Sequence, residues 1–306
     1  MVKHEEIKKL KRILRREVTA LCRWNGRRWK LPLTSTIHTI QDNHWPAVFF
    51  GGTLRSLLLS RLVHNAPGRP RDIDIVVGSI TIEDLQKEFG PWISRRTRFG
   101  GLALRRRGWE FDLWPVNETF AFKQSGKNDA AFENLPKTTF LNAEAIAVEV
   151  WPKPGKPRRI YSWNDQFFDG VLTKTLELNN PENPYPELCV LRSLVMANVL
   201  RWRVGPCLAR FLTQHGPRIS KSDLIDIQKR HYDSVRLPWE NYQLMLGRLL
   251  DAIEKDPNSP VDFQQERQFS FWVPGYSHDD KIRVIVRSRV RRSNRPSVYN
   301  LSLLEI

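Results

Sequence analysis

The sequence predicts an α+β protein: a mixed sheet with flanking helices, then a helical region, then a short β-rich basic C-terminus. Three observations carry that reading. Short β-branched and aromatic runs mix with helix-like stretches between residues 35 and 182, and helical spacing alone continues from 183 to 256. Apolar and basic residues then alternate within residues 257–306. With 306 residues and 41% hydrophobic content, the chain can fill more than one packed core.

In residues 4–22, Ile7, Leu10, Leu14, Val18 and Leu21 recur at helical spacing. Lys8, Lys9, Lys11, Arg12, Arg15 and Arg16 fill remaining positions. This predicts a basic amphipathic helix inside an N-terminal segment, residues 1–34. From residue 47, AVFF reads as a short buried strand, GG as a turn, TLRSLLLSRL as a helix and DIDIVV as a second strand after the loop HNAPGRPR. TIEDLQKEF predicts a short helix, and FGGLALRRR and WEFDLWPV predict two strands joined by a tight turn at Gly108.

The Pro-rich stretch NNPENPYP marks a boundary near Asn183, which assigns residues 35–182 to the sheet domain. Beyond it, PELCVLRSLVMANVLRW, GPCLARFLTQH, KSDLIDIQKRHY and PWENYQLMLGRLLDAIEK predict four helices within residues 183–256. In KIRVIVRSRVRR, Ile282, Val284, Val286 and Val290 oppose Arg283, Arg287, Arg289 and Arg291, which makes those four arginines the candidate RNA-phosphate contacts.

Charge narrows the partner. The 49 Lys and Arg against 33 Asp and Glu give +16 and a pI near 10.1, which favours a polyanion through counterion release. No long apolar run is present and MVKHEEIKKLKR is too charged for a signal peptide, so the expectation is a soluble cytoplasmic protein that binds nucleic acid and no membrane. Cys22, Cys189 and Cys207 lack metal-ligand or disulfide spacing and read as reduced; His64, His215 and His231 are scattered. The serines form no nucleophile elbow, and GKPRR lacks P-loop spacing.

The chemistry concentrates in FFGGTLRSLLLSRLVHNAPGRPRDIDIVV. In a strand, Asp72 and Asp74 project side by side while Ile73 and Ile75 face the other layer. Two adjacent carboxylates repel each other unless a divalent cation lies between them, and all-oxygen ligands suit Mg2+ or Mn2+ held with substrate phosphates. Gly51 and Gly52 at a strand-to-helix turn let a phosphate approach the free amides of a helix start; Thr53 adds a hydroxyl and Arg55 a cation. Asp112, on the same strand face as Glu110 and Trp114, is the third candidate metal ligand and the group placed to activate an attacking hydroxyl.

These blocks resemble the head of the polymerase β type nucleotidyltransferases, most closely the class II CCA-adding enzymes and bacterial poly(A) polymerases. GGTLRSLLL is similar to the family's GGxVRDxLL, PRDIDIVV to its DID strand, and RFGGLALRRRGWEFDLW to the hairpin that ends in an acidic residue. KTTFLNAEAIAVEV resembles the RRDFTINA segment, RIYSWNDQFFDGVLTKTLEL the closing stretch of the head, and YPELCVLRSLVMANVLRW the first neck helix. The similarity covers about residues 45 to 215. The sequence departs from the family at Ser56, at Lys137-Thr138-Thr139 where RRD is expected, and at Cys189 where an arginine of EDxxR would fall.

The resemblance implies a template-independent transfer of a nucleoside monophosphate from ATP or CTP to the 3′ end of an RNA, with tRNA as the expected acceptor. Asp72, Asp74 and Asp112 would hold the metal, and Gly51, Gly52, Thr53 and Arg55 the nucleotide. The departures imply altered nucleotide selection. They leave two alternatives open: a toxin or defence enzyme that inactivates tRNA, and an inactive RNA-binding module.

Overall fold

The structure is a computed structural model that describes residues 2–23, 30–64, 70–97, 100–120, 122 and 130–263. The chain opens with α1 (Val2–Cys22) and α2 (Leu31–Asp42), and then runs through β1 (Ala47–Phe50), α3 (Gly52–His64), β2 (Asp72–Val77), α4 (Ile82–Phe89), β3 (Ile93–Arg96), β4 (Leu102–Arg106) and β5 (Trp109–Pro115). It continues through β6 (Ile146–Glu149), β7 (Ile160–Ser162), α5 (Gln166–Thr173) and β8 (Thr175–Leu176). α6 (Pro186–Leu200), β9 (Arg203–Val204), α7 (Pro206–His215), α8 (Lys221–Tyr232) and α9 (Trp239–Lys255) complete it. Arg283, Arg287, Arg289 and Arg291 lie outside the described residues.

Seven strands form one mixed sheet in the order β3-β4-β5-β2-β1-β6-β7. β2 is central and pairs parallel with β5 and antiparallel with β1. On one face, Phe49, Ile73, Ile75, Phe111, Leu113 and Ile146 pack with Leu14 and Val18 of α1 and with Leu54 and Leu58 of α3. On the other, Val48, Val76, Ala147 and Tyr161 pack against Val116, Phe122 and Leu135. β2 is buried on both sides, so its apolar residues run together at Ile75, Val76 and Val77, as expected of a central strand.

α1 buries the apolar row read from the sequence, Ile7, Leu10, Leu14, Val18 and Leu21. One acidic residue goes in with that row: Glu17 is 2% exposed and accepts from Arg61 of α3 through Nε at 2.7 Å and Nη2 at 3.2 Å. Removing a charge from water is unfavourable unless it is paired, so this bidentate contact fixes the register of α1 on α3. The layer behind the sheet therefore supports the helix whose first turn faces the site.

All four helices read from residues 183–256 are present. Seven further elements, α2, β3, β6, β7, α5, β8 and β9, lie where the sequence alone predicted none. The sheet is fastened to the helical region through buried Asn142, just before β6. Its Nδ2 donates to the Thr175 carbonyl (3.0 Å), its Oδ1 accepts from the Glu177 amide (2.9 Å), and its own amide donates to the Glu177 carbonyl (3.0 Å). Glu177 in turn accepts from the Leu208 amide at the start of α7 (2.7 Å). Asn142→Ala orphans two buried backbone groups and is expected to lower unfolding free energy by about 2–5 kcal/mol. Urea titration with an unchanged m-value reads this; a loss below about 1 kcal/mol would show that the tie carries little.

Candidate active site

The site begins with register. β2 and β5 run parallel with Asp72 opposite Glu110 and Asp74 opposite Asp112, so all four carboxylates project to one face. Glu110 is exposed and pairs with Arg105 at 2.6 Å, which leaves Asp72, Asp74 and Asp112 as the inner group. Asp72 accepts on Oδ2 from Arg71 Nε at 2.8 Å, while its Oδ1 is buried without a hydrogen-bond partner. An orphaned buried carboxylate oxygen is rare in a folded protein, and a ligand bound beside it would supply its partner.

The group resists full ionisation. Burial, followed by repulsion from Asp112, Asp72 and Glu144, pushes the Asp74 carboxyl from 3.8 up to about 7, against a lowering contact from Thr53. Burial and Asp72 push Asp112 up to about 6, with Glu110 adding to the rise and Arg95 and Arg71 opposing it. These proton affinities belong to a cluster short of positive charge.

The turn beside them is built from Gly51 and Gly52. Gly51 sits at φ +55°, donates to the Ile146 carbonyl (3.0 Å), and accepts from the Leu54 and Arg55 amides (3.1 and 3.2 Å). The chain thus passes from β1 into α3 within one residue, in a conformation that glycine adopts without strain. A Cβ on Gly52 would stand 3.6 Å from both Asp74 Oδ2 and Arg55 Nη2, so glycine keeps the space between acid and guanidinium clear. The amides of Gly52 and Thr53, at the very start of α3, have no helical carbonyl one turn earlier to receive them, which makes this end attractive to an anion. Thr53 is buried and its hydroxyl is engaged with β2: it accepts the Asp74 amide at 2.8 Å and lies 3.2 Å from the Asp72 carbonyl.

Arg55 is buried and donates to Glu144 Oε1 at 3.0 Å, and the same oxygen accepts from Arg192 Nη2 of α6 at 2.9 Å. Burial alone would raise the Glu144 carboxyl, yet Arg192 and Arg55 hold it below its usual range. One carboxylate thereby links the cradle to the helical region. Sequence reading missed Glu144 and gave Arg192 no role, although a signal existed: each is a lone charge in an apolar run, FLNAEAIAV and CVLRSLVM, and such a charge needs a partner when buried.

Where the sequence departs from the family pattern, the side chains are occupied. Lys137 Nζ lies 4.1 Å from the centre of the Trp163 ring, and the Thr138 and Thr139 hydroxyls donate to the Leu135 and Leu141 carbonyls at 2.8 and 3.1 Å. Cys189 is buried one turn before Arg192, and burial pushes its thiol up to about 12, so it stays a neutral, unreactive group.

Among the described residues, no three His, Cys, Asp or Glu side chains converge closely enough to hold an ion as they stand. The donor chemistry nevertheless fits a hard divalent cation. Asp72, Asp74 and Asp112 are oxygen-only ligands, share one face, repel one another, and include an unsatisfied oxygen.

The overall fold is a known one. A CCA-adding enzyme solved with CTP matches at a TM-score of 0.54 and 15% identity, over 79% of this chain and 56% of that one. A Thermotoga maritima CCA-adding enzyme complexed with tRNA matches at 0.51 and 16%, over 78% and 54%. A tRNA nucleotidyltransferase complexed with a primer tRNA and an incoming ATP analog matches at 0.50 and 15%, over 71% and 61%. The chain therefore has the nucleotidyltransferase fold, and it spans less than two thirds of each of these enzymes' own lengths. No family model matches it, and no curated protein matches its sequence.

Asp74 and Asp112 bind protons more tightly folded than unfolded, so in the metal-free protein their contribution favours folding at low pH and is lost as pH rises from about 4 to 7. Asp74→Asn is expected to raise Tm at pH 8 by on the order of 3 °C and to leave it unchanged at pH 4. Parallel Tm–pH curves for wild type and variant, measured by calorimetry without metal, would contradict the repulsion.

Proposed function

We propose that the chain is a template-independent, metal-dependent nucleotidyltransferase that transfers a nucleoside monophosphate from a nucleoside triphosphate to the 3′ hydroxyl of an RNA. The observation that carries this is the shared face of Asp72, Asp74 and Asp112 beside the Gly51–Gly52 turn. A bond forms between the acceptor oxygen and the α-phosphorus, the bond to pyrophosphate breaks, and the hydroxyl proton leaves.

The first turn of α3, at Gly52 and Thr53, receives phosphate oxygens, and Gly52 admits their close approach. Arg55, oriented by Glu144, adds positive charge at the cradle. Asp112 orients the acceptor hydroxyl and takes its proton. Asp72, Asp74 and Asp112 would hold Mg2+ or Mn2+, which when bound offsets the charge of the triphosphate and of the developing oxyanions.

In this reading residues 35–182 are the catalytic head and 183–256 the neck and body, flanked by the basic segments 1–34 and 257–306. The formal charge of +16 supports an RNA acceptor, with tRNA the favoured kind given the ligands of the fold's solved examples. ATP or CTP is the nucleotide, and the occupied side chains at Lys137, Thr138, Thr139 and buried Cys189 support a selection altered from CCA addition. No helix among the described residues is long and apolar enough to cross a membrane, in keeping with a cytoplasmic site of action.

Incubation with labelled nucleoside triphosphates, Mg2+ and total RNA is expected to label RNA and release pyrophosphate. Asp72→Ala and Asp74→Ala should reduce labelling by about 10³-fold, since metal stabilisation supplies several kcal/mol to the barrier. Equal labelling by wild type and both variants would refute the assignment.

A further inference from the structure

The sheet register sets one cation on the flank of the carboxylates away from the cradle. Arg95 of the edge strand β3 lies opposite Ala103, Ala103 opposite Asp112, and Asp112 beside Asp74. Directly opposed residues project to the same face, so Arg95 shares the face of the carboxylates with only the Ala103 methyl between. The β3 ladder is irregular between Ile93 and Arg95, and a bulge of this kind re-aims a side chain. At about 4.8 Å per strand, Arg95 stands about 10 Å from Asp112 and about 19 Å from the β1 end that turns at Gly51.

Arg95 is exposed, and the arginines around it are engaged. Arg96 donates to Gln86 (3.0 Å), Arg105 pairs with Glu110 (2.6 Å), and Arg106 donates to Thr36 (2.9 Å) and lies over the Trp92 ring (3.8 Å). Among the described residues the Arg95 side chain makes no ion pair, hydrogen bond or ring contact. Its charge is nonetheless felt at Asp112, where it offsets part of the repulsion. An isolated guanidinium facing solvent beside a carboxylate cluster has one obvious use, to draw in an anion that the cluster would otherwise repel.

Phosphoryl transfer places the attacking and leaving oxygens roughly in line on opposite sides of the phosphorus. With the triphosphate at Gly51 and Gly52 and the carboxylates between, the attacking hydroxyl arrives from the side of β5, β4 and β3. The span from Arg95 to the cradle is longer than an arginine side chain, so phosphates held at Gly51 and Gly52 are out of its reach.

We propose that Arg95 binds a backbone phosphate of the acceptor RNA close to its 3′ end and so sets the terminal hydroxyl against Asp112. This rests on the nucleotidyltransferase reading and makes Arg95 a positioning residue for the acceptor.

The test is Arg95→Ala and Arg95→Lys in the full chain, with deacylated tRNA as acceptor and binding probe. Arg95→Ala is expected to raise the KM for tRNA about tenfold, to leave the KM for the nucleotide within about twofold, and to lower the slope of log affinity against log salt by about one. Arg95→Lys should recover the salt slope and part of the KM, because it restores the charge without the fork. If wild type transfers label and Arg95→Ala leaves both tRNA KM and slope unchanged, the proposal falls while the enzymatic reading stands. A rise in nucleotide KM in step with tRNA KM would also overturn it. If wild type transfers nothing, the binding slope decides: a loss of about one supports the phosphate contact without the enzyme, and an unchanged slope overturns it.

Discussion

Three aspartates facing one another across two parallel strands repel, and the local structure is arranged around that repulsion. Arg71 takes one oxygen of Asp72 and leaves the other with no partner. Thr53 steadies the Asp74 backbone without supplying charge. Burial and mutual repulsion raise the proton affinity of Asp74 and Asp112. An apolar residue at one of the three positions would lessen the conflict, and so would a cation bound among them.

The fold makes the conflict sustainable. β2 is buried on both faces and paired on both edges, which holds Asp72 and Asp74 in place. Gly51 turns the chain from β1 into α3 next to them, and Glu17–Arg61 locks that helix to α1 behind the sheet. Glu144 then joins Arg55 of the cradle to Arg192 of the helical region, so the residues that would meet a phosphate and the helices beyond the sheet share one buried carboxylate.

Much of this was legible in the sequence wherever one local signal dominated. DIDIVV is β2 to the residue, AVFF is β1, and the four long helical patterns became α6 to α9. Elements fixed by tertiary contact were not legible. In α2, LPLTSTIHTIQD is rich in Thr and Ser, poor helix formers that here return hydrogen bonds to carbonyls one turn earlier, such as Thr36 to Pro32 at 2.8 Å. Burial of Leu33, Ile37 and Ile40 decides the helix instead. The acidic face itself was readable at Asp72 and Asp74 from a period of two. That Asp112 falls directly opposite Asp74 depends on a parallel register the sequence does not encode locally. The Glu144–Arg192 pair spans 48 positions and is set by packing alone.

The central claim is that the three carboxylates form a cation site completed by a nucleotide. Titration of the full chain with Mn2+, with and without a non-hydrolysable nucleoside triphosphate, and with free ion followed by electron paramagnetic resonance, tests it most directly. Saturable binding that tightens with the nucleotide in wild type and disappears in Asp72→Asn and Asp74→Asn is the predicted result. Equal Mn2+ binding by wild type and both variants would contradict it.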